Sequence, residues 1–206
     1  MAQHRQLHRL ADRVFLMFTA SREDATHYWQ MRDDATLAAR QPPVPVKTAR
    51  RLAAMARGGA HAAVFGSVPT ALALMDMGCK VSLIESDPGR AFGAEFHARE
   101  GQSDLISVRV IDRGNSLGRQ EYAHAYADIP EQPQLIVIAG RNRRAVCRDV
   151  ISNAPKGSTI VIVRGGREKY QGLRDTLRQS FISFTVDVGP AADGRARRTS
   201  ALIATL

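Results

Sequence analysis

The sequence predicts an α/β fold, a doubly wound sheet of about seven strands, mostly parallel, with a C-terminal antiparallel hairpin and an N-terminal helical extension. Three observations carry this. Residues 61–88, HAAVFGSVPTALALMDMGCKVSLIESDP, read as strand, tight turn, helix, strand. From there to the end, short apolar runs alternate with helical stretches. The last two apolar runs are separated by only ten residues, Gly189 to Arg198, rich in Gly, Ala and Arg. A parallel crossover needs about a dozen residues or more, so the final pair must be antiparallel.

Taken in order, residues 4–18 are amphipathic. Leu7, Leu10, Ala11, Val14, Phe15 and Phe18 share one helical face, and Arg5, Arg9 and Arg13 fall elsewhere. Such a helix either docks on its own domain or meets a membrane surface or a partner. Ser21 is expected to cap a second helix, with Asp24 three positions on as an approximate capping box, and the helix should run to about Arg40. The prolines of 41–45 break it. A third helix over 46–57 ends at Gly58-Gly59. Residues 1–60 are therefore expected to be a helical extension and 61–206 the sheet domain.

In the sheet domain, a strand over 62–65 stops at Gly66, a helix over 70–77 closes at Gly78, and a strand over 80–84 ends in Glu85. A helix over 88–100 precedes a strand over 106–111, with Asp112 at its end. Residues 113–133 read as irregular and carry Tyr122, His124 and Tyr126. A strand over 134–138 ends at Ala139-Gly140, and a basic helix covers 142–153. After a turn at Pro155-Lys156-Gly157 come a strand over 159–163, a polar loop over 164–169 and a helix over 170–179. Strands over 181–188 and 199–206 complete the chain, and the five parallel strands are expected in the order 3-2-1-4-5.

With 206 residues, 44% of them apolar, the chain is long enough for a full core. No apolar stretch approaches the ~20 residues of a bilayer span, and no apolar core follows the basic start as in a secretory signal. Cys79 and Cys147 are isolated, without metal spacing, and read as buried thiols of a reducing, cytoplasmic compartment. The net charge of +9 suits nucleic acid, an acidic partner or an anionic surface, or is simply a solvated face. Aromatics are only 6% and do not interleave with the basic runs, so nucleic acid is not favoured. The six histidines show no metal-ligand spacing; His124 is either a general base or an exposed loop residue.

Two features bear on chemistry. Gly66 stands where a strand turns into a helix whose N-terminal amides point at a ligand. Glu85 follows 19 residues later at the next strand tip, where a carboxylate can take both hydroxyls of a ribose. The second feature is basic. Arg141, Arg144 and Arg148 are spaced for one helix face, Arg143 lies beside them, and Arg164, Arg167 and Lys169 follow the neighbouring strand. Cations near a helix N-terminus are repelled by its dipole, at ~0.3–1 kcal/mol each. A bound anion relieves this, as does pairing with Asp149, Glu168 or Asp175.

The stretch Val137-Ile138-Ala139-Gly140-Arg141-Asn142-Arg143-Arg144-Ala145-Val146-Cys147, then a proline-glycine turn, a strand and Tyr170, resembles the class I S-adenosylmethionine-dependent methyltransferase superfamily. It is most similar to small bacterial methyltransferase-like proteins whose fourth strand reads hydrophobic-Asp-Gly-Arg-x-Arg-x-x-Cys. The parallel sheet finished by a hairpin is that superfamily's layout, and the resemblance covers roughly 45–206. It implies a Rossmann-like domain using S-adenosylmethionine, held by Phe65, Gly66, Ser67, Thr70, Glu85, Ser86, Asp112, Ala139 and Gly140. Glu85 would take the ribose and Asp112 the adenine edge; otherwise both are ordinary acidic strand ends.

The resemblance implies methyl transfer to an unknown acceptor, with Tyr122, His124 and Tyr126 on the acceptor side. The alternative is a non-catalytic binding or scaffold protein that grips an anionic ligand or acidic partner with Arg141, Arg144, Arg148, Arg164 and Arg167. A nicotinamide-dependent oxidoreductase is disfavoured by the hairpin and the missing glycines. The first turn is degenerate. The family reads Glu-Phe-Gly-Ser-Gly-Gly-Ser/Thr, whereas this chain reads Val64-Phe65-Gly66-Ser67-Val68-Pro69-Thr70. Val68 is expected to be extended ahead of proline, and Pro69 removes an amide donor. Ala139 replaces the family's Asp, and Arg164-Gly165-Gly166 replace acidic residues after the fifth strand.

Overall fold

Short apolar strands buried on both faces need a cover of helices on each side, and the sequence supplies both. The computed structural model describes residues 44–56, 59–100, 104–180, 182–191 and 198–206, except the side chains of 97, 99 and 100. The expected helices over 4–18 and 21–40 lie outside the described residues. Five parallel strands, β1 (His61–Phe65), β2 (Lys80–Glu85), β3 (Ile106–Val110), β4 (Leu135–Ile138) and β5 (Thr159–Val163), are joined by β6 (Phe184–Pro190) and β7 (Arg198–Thr205). The order is β3-β2-β1-β4-β5-β7-β6. β7 runs antiparallel to both neighbours, with Val161 opposite Ile203 and Val186 opposite Leu202. The sheet order and the closing hairpin are those expected from the sequence.

The alternation of side chains along each strand sorts the core into two layers. Ala62, Val64, Leu135, Val137, Val161 and Val163 face α1 (Val46–Ala56), α2 (Val68–Asp76) and α3 (Pro88–Glu100), which add Leu52, Leu72 and Ala94 to that layer. Ala63, Phe65, Ile136, Ile138, Ile160 and Ile162 face α4 (Ser116–His124), α5 (Arg143–Asn153) and α6 (Gln171–Gln179), which add Tyr122, Val146 and Leu177. Each large apolar side chain fully buried this way contributes about 1.5–3 kcal/mol. Among the described residues, no helix is long and apolar enough to cross a membrane.

Two local expectations are corrected. The stretch read as irregular contains α4, started by Asn115, whose side chain accepts the Gly118 amide at 2.7 Å. Polar residues on its outer side hid the inward pair Tyr122 and Ala123. In α2, Val68 is the first helical residue rather than an extended one. Pro69 is tolerated there because amides of a first turn have no intrahelical acceptor to lose.

Both cysteines are fully buried. Burial pushes the Cys79 thiol up to about 11 and the Cys147 thiol up to about 12, and it carries the Tyr126 phenol to about 12. The folded chain thus holds protons that the unfolded chain releases sooner. For the thiols this stability is complete below an ordinary pKa of 9.0 and is lost as pH climbs towards the folded values. Native protein is expected to resist iodoacetamide at neutral pH, with both thiols reacting once urea unfolds it. The urea midpoint should fall as pH rises above about 9; a midpoint that climbs instead would contradict this burial.

Candidate functional site

The strand order reverses between β1 and β4, and in an open sheet the crevice at that point is where ligands bind. The turns at this edge are tied to one another by backbone bonds. The Gly66 amide donates to the Ile84 carbonyl at 2.9 Å, and the amides of Ala139 and Gly140 donate to the Phe65 carbonyl at 2.9 and 2.8 Å. Gly66 and Gly140 almost touch. A Cβ on Gly66, whose φ is +68°, would lie 2.5 Å from the Gly140 Cα. The Tyr122 hydroxyl sits in the notch over both glycines, 2.5 Å from where a Gly140 Cβ would be.

Above this notch opens a cavity of about 740 Å³, a size suited to a small-molecule ligand. One side is built by Gly66, by Glu85, Ser86 and Asp87 at the β2 tip, and by Pro88 and Arg90 at the start of α3. Tyr122 and Arg113 lie on the β3–α4 side, with the Arg113 guanidinium over the Tyr122 ring at 4.9 Å. The other side is Ala139, Gly140 and Arg141 after β4, Arg143 at the start of α5, Arg164 after β5, and Lys169 and Tyr170 in a 3₁₀ turn (Glu168–Tyr170).

Glu85 is only 1% exposed. Its Oε1 accepts the amides of Ser86 at 2.7 Å and Asp87 at 3.2 Å, which fixes the carboxylate. Its Oε2 is buried and has no hydrogen-bond partner. A buried acceptor left unpaired is costly, so this atom is the feature of the cavity most in want of a ligand. Its charge acts on Tyr122, whose hydroxyl is raised well above the usual phenol range, first by burial and then by Glu85, against the opposing pull of Arg113 and Arg143. Tyr122 therefore stays a neutral hydroxyl.

Arg143 is the buried member of the basic set, 8% exposed. Its guanidinium donates to the Ala139 carbonyl and the Tyr170 hydroxyl and lies over the Tyr170 ring at 4.8 Å. Loss of solvation lowers its pKa from the usual arginine value, while Tyr170 and Tyr122 support the charge; an arginine remains protonated regardless. Arg90 lies 3.7 Å from Asp87. Among the described residues, no carboxylate lines the β4–β5 side of the cavity.

Of the residues expected at a cofactor site, Gly66, Glu85, Ser86, Ala139 and Gly140 line the cavity. Phe65 is a core residue packed edge-on against Tyr122, and it contributes through its carbonyl. Ser67 and Thr70 are buried and bonded to each other at 2.7 Å. Asp112 is exposed and accepts the Gly114 amide. Among the expected basic residues, Arg141 and Arg164 reach the cavity, whereas Arg144, Arg148 and Arg167 are exposed outside its lining. The face argument misplaced the set because Asn142 is left-handed, with φ 62°, and α5 begins only after it. Arg141 is thus off the helix, and Arg143 rather than Arg144 points inward. Of the three residues expected on an acceptor side, Tyr122 alone lines the cavity. The Tyr126 hydroxyl donates to the Pro133 carbonyl, and His124 pairs with Asp149 at 3.2 Å. Arg90, Arg113 and Tyr170 were not expected as binding residues; the tyrosine directly after a lysine at Lys169-Tyr170 was the available hint.

Comparison with solved structures bears on the fold. The chain is similar to an O-methyltransferase from Bacillus cereus in complex with S-adenosylhomocysteine, at 16% identity and TM-score 0.64 over 88% of this chain and 90% of that one. The fold is that of the class I S-adenosylmethionine-dependent methyltransferases. The O-methyltransferase TomG from Streptomyces achromogenes, in complex with S-adenosylmethionine, matches at 16% identity and TM-score 0.61, over 88% of this chain and 89% of that one. A methyltransferase-like protein from Silicibacter pomeroyi matches the methyltransferase fold at 12% identity and TM-score 0.52, over 73% and 84%. No protein-family model and no curated protein matches the sequence.

Proposed function

We propose that the protein binds S-adenosylmethionine and transfers its methyl group to a small acceptor, with residues 61–206 as the catalytic domain. The observation that carries this reading is the orphaned Glu85 Oε2, buried at the β2 tip beside a cavity of about 740 Å³. A vicinal diol offers two hydroxyl donors, which is what that oxygen lacks. The Gly66–Gly140 contact holds the β1 and β4 turns together beneath the cavity, with the Tyr122 hydroxyl over both, a packing that a Cβ on either residue would prevent. S-adenosylmethionine supplies an electrophilic methyl group on sulfur. The chain's part is to hold the nucleoside at Glu85, keep the Tyr122 hydroxyl neutral beside the notch, and orient the acceptor.

A second reading, a binding protein without catalysis on the same fold, is favoured by one observation. The β4–β5 side is lined by cations, and among the described residues it carries neither carboxylate nor imidazole to take a proton from an acceptor. Isothermal titration of the full chain with S-adenosylhomocysteine tests the first reading, and saturable one-to-one binding in the micromolar range is expected. Adenosine should bind more tightly than 2′-deoxyadenosine. The absence of heat with S-adenosylhomocysteine, or indifference to the missing hydroxyl, would overturn it.

A further inference from the structure

We infer that the β4–β5 side of the cavity is a phosphate subsite, and that the methyl acceptor is a small phosphorylated molecule anchored there. The inference rests on the cofactor reading above.

Arg141, Arg143, Arg164 and Lys169 come from three separate segments and line one wall, where the described residues include no carboxylate. The N-terminus of α5, the helix that Arg143 opens, adds its own positive end. Like charges gathered in a cavity repel one another, and an anion bound among them relieves that repulsion. S-adenosylmethionine does not meet that need. It carries a sulfonium, an ammonium and one carboxylate, so its net charge is positive, and the cofactor reading places it on the Glu85 side.

The wall is also built in advance of any ligand. Arg143 is buried, fixed by the Ala139 carbonyl and the Tyr170 hydroxyl, and stacked on Tyr170, while its Nε has no partner. Lys169 lies over the same ring at 5.1 Å. A guanidinium held this way keeps its charge and its unpartnered Nε–H in place at little further entropic cost. The backbone points the same way. Three described residues other than glycine have positive φ, and two of them, Asn142 at 62° and Arg164 at 61°, shape the turns that carry this wall. An arginine is held left-handed only where its surroundings over-determine it. Several cations converging on one place match an oxyanion of more than one charge, which favours a phosphate ester over a single carboxylate.

The test titrates inorganic phosphate into the full chain at fixed ionic strength, with and without S-adenosylhomocysteine, and uses acetate for comparison. Phosphate is expected to bind at least about tenfold more tightly than acetate and alongside S-adenosylhomocysteine rather than in its place. Arg141 and Lys169 are exposed enough to be replaced without disturbing the core. The Arg141→Ala/Lys169→Ala double variant should weaken phosphate binding at least about tenfold. Arg144→Ala/Arg148→Ala removes the same charge from outside the cavity and should change it less than about twofold.

Equal losses in the two double variants, parity of acetate with phosphate, or competition between phosphate and S-adenosylhomocysteine would each overturn the subsite. Binding of S-adenosylhomocysteine with no phosphate binding overturns the subsite alone. Phosphate binding by a chain that binds no S-adenosylhomocysteine overturns the cofactor reading, and with it the assignment of the anion to a methyl acceptor.

Discussion

Gly66→Ala is expected to destabilise the fold by about 3 kcal/mol or more, whereas Gly78→Ala should cost about 1 kcal/mol. The two glycines share a left-handed backbone, with φ of +68° and +85°. They differ in what surrounds them. A Cβ at Gly78, which ends α2, would meet nothing within 4 Å, so its replacement reports the conformational cost alone. A Cβ at Gly66 would lie 2.5 Å from the Gly140 Cα and 3.0 Å from the Gly140 nitrogen. Backbone cannot rotate away as a side chain can, so the β1 and β4 turns would have to part. That separation would break the bonds from the Ala139 and Gly140 amides to the Phe65 carbonyl. For a chain of this size 1 kcal/mol moves the melting temperature by roughly 2–4 °C. Thermal unfolding should therefore separate the two variants by several degrees. Equal effects would mean that the two turns are not in contact.

That contact shows where the sequence was legible and where it was not. The βαβ unit over 61–88 could be read because its apolar runs, Gly66 and Gly78 are local signals, and each reappears within a residue or two of its expected place. The hairpin followed from chain length alone, since ten residues cannot carry a crossover. The cavity did not follow in the same way, because its walls come from turns after five strands and from the starts of three helices. Whether Arg143 or Arg144 points inward depends on the left-handed turn at Asn142, which shifts the start of α5 and so rotates every side chain after it. Asp112 stands in a different setting. Its place at a strand end was correct, but a carboxylate at a strand end can spend itself on its own turn, as this one does with the Gly114 amide. Glu85 uses one oxygen in that manner and keeps the other spare. Nothing in the residue types distinguishes the two acids; burial does.

The spare oxygen gives the second large effect, and here stability and binding should move in different directions. Glu85→Gln keeps the shape of the side chain and leaves an acceptor for the Ser86 and Asp87 amides. It replaces an unpaired, buried carboxylate oxygen with an amide nitrogen. The free protein then no longer holds a buried charge with one oxygen unsatisfied, so its melting temperature should be unchanged or higher. Nucleoside binding should suffer, because the nitrogen cannot accept from ribose hydroxyls. Hydrogen bonds to a charged group are worth about 1.5–3 kcal/mol, which corresponds to a loss of roughly 10- to 150-fold in affinity for S-adenosylhomocysteine. Adenosine should lose a similar factor, while 2′-deoxyadenosine, with only one hydroxyl to offer, should lose less. A purely structural Glu85 would behave otherwise, with the melting temperature falling in step with every ligand and no ligand singled out. Calorimetric titration and thermal unfolding of the same preparation separate the two cases, and an affinity for S-adenosylhomocysteine unchanged by Glu85→Gln would remove this residue from the nucleoside site.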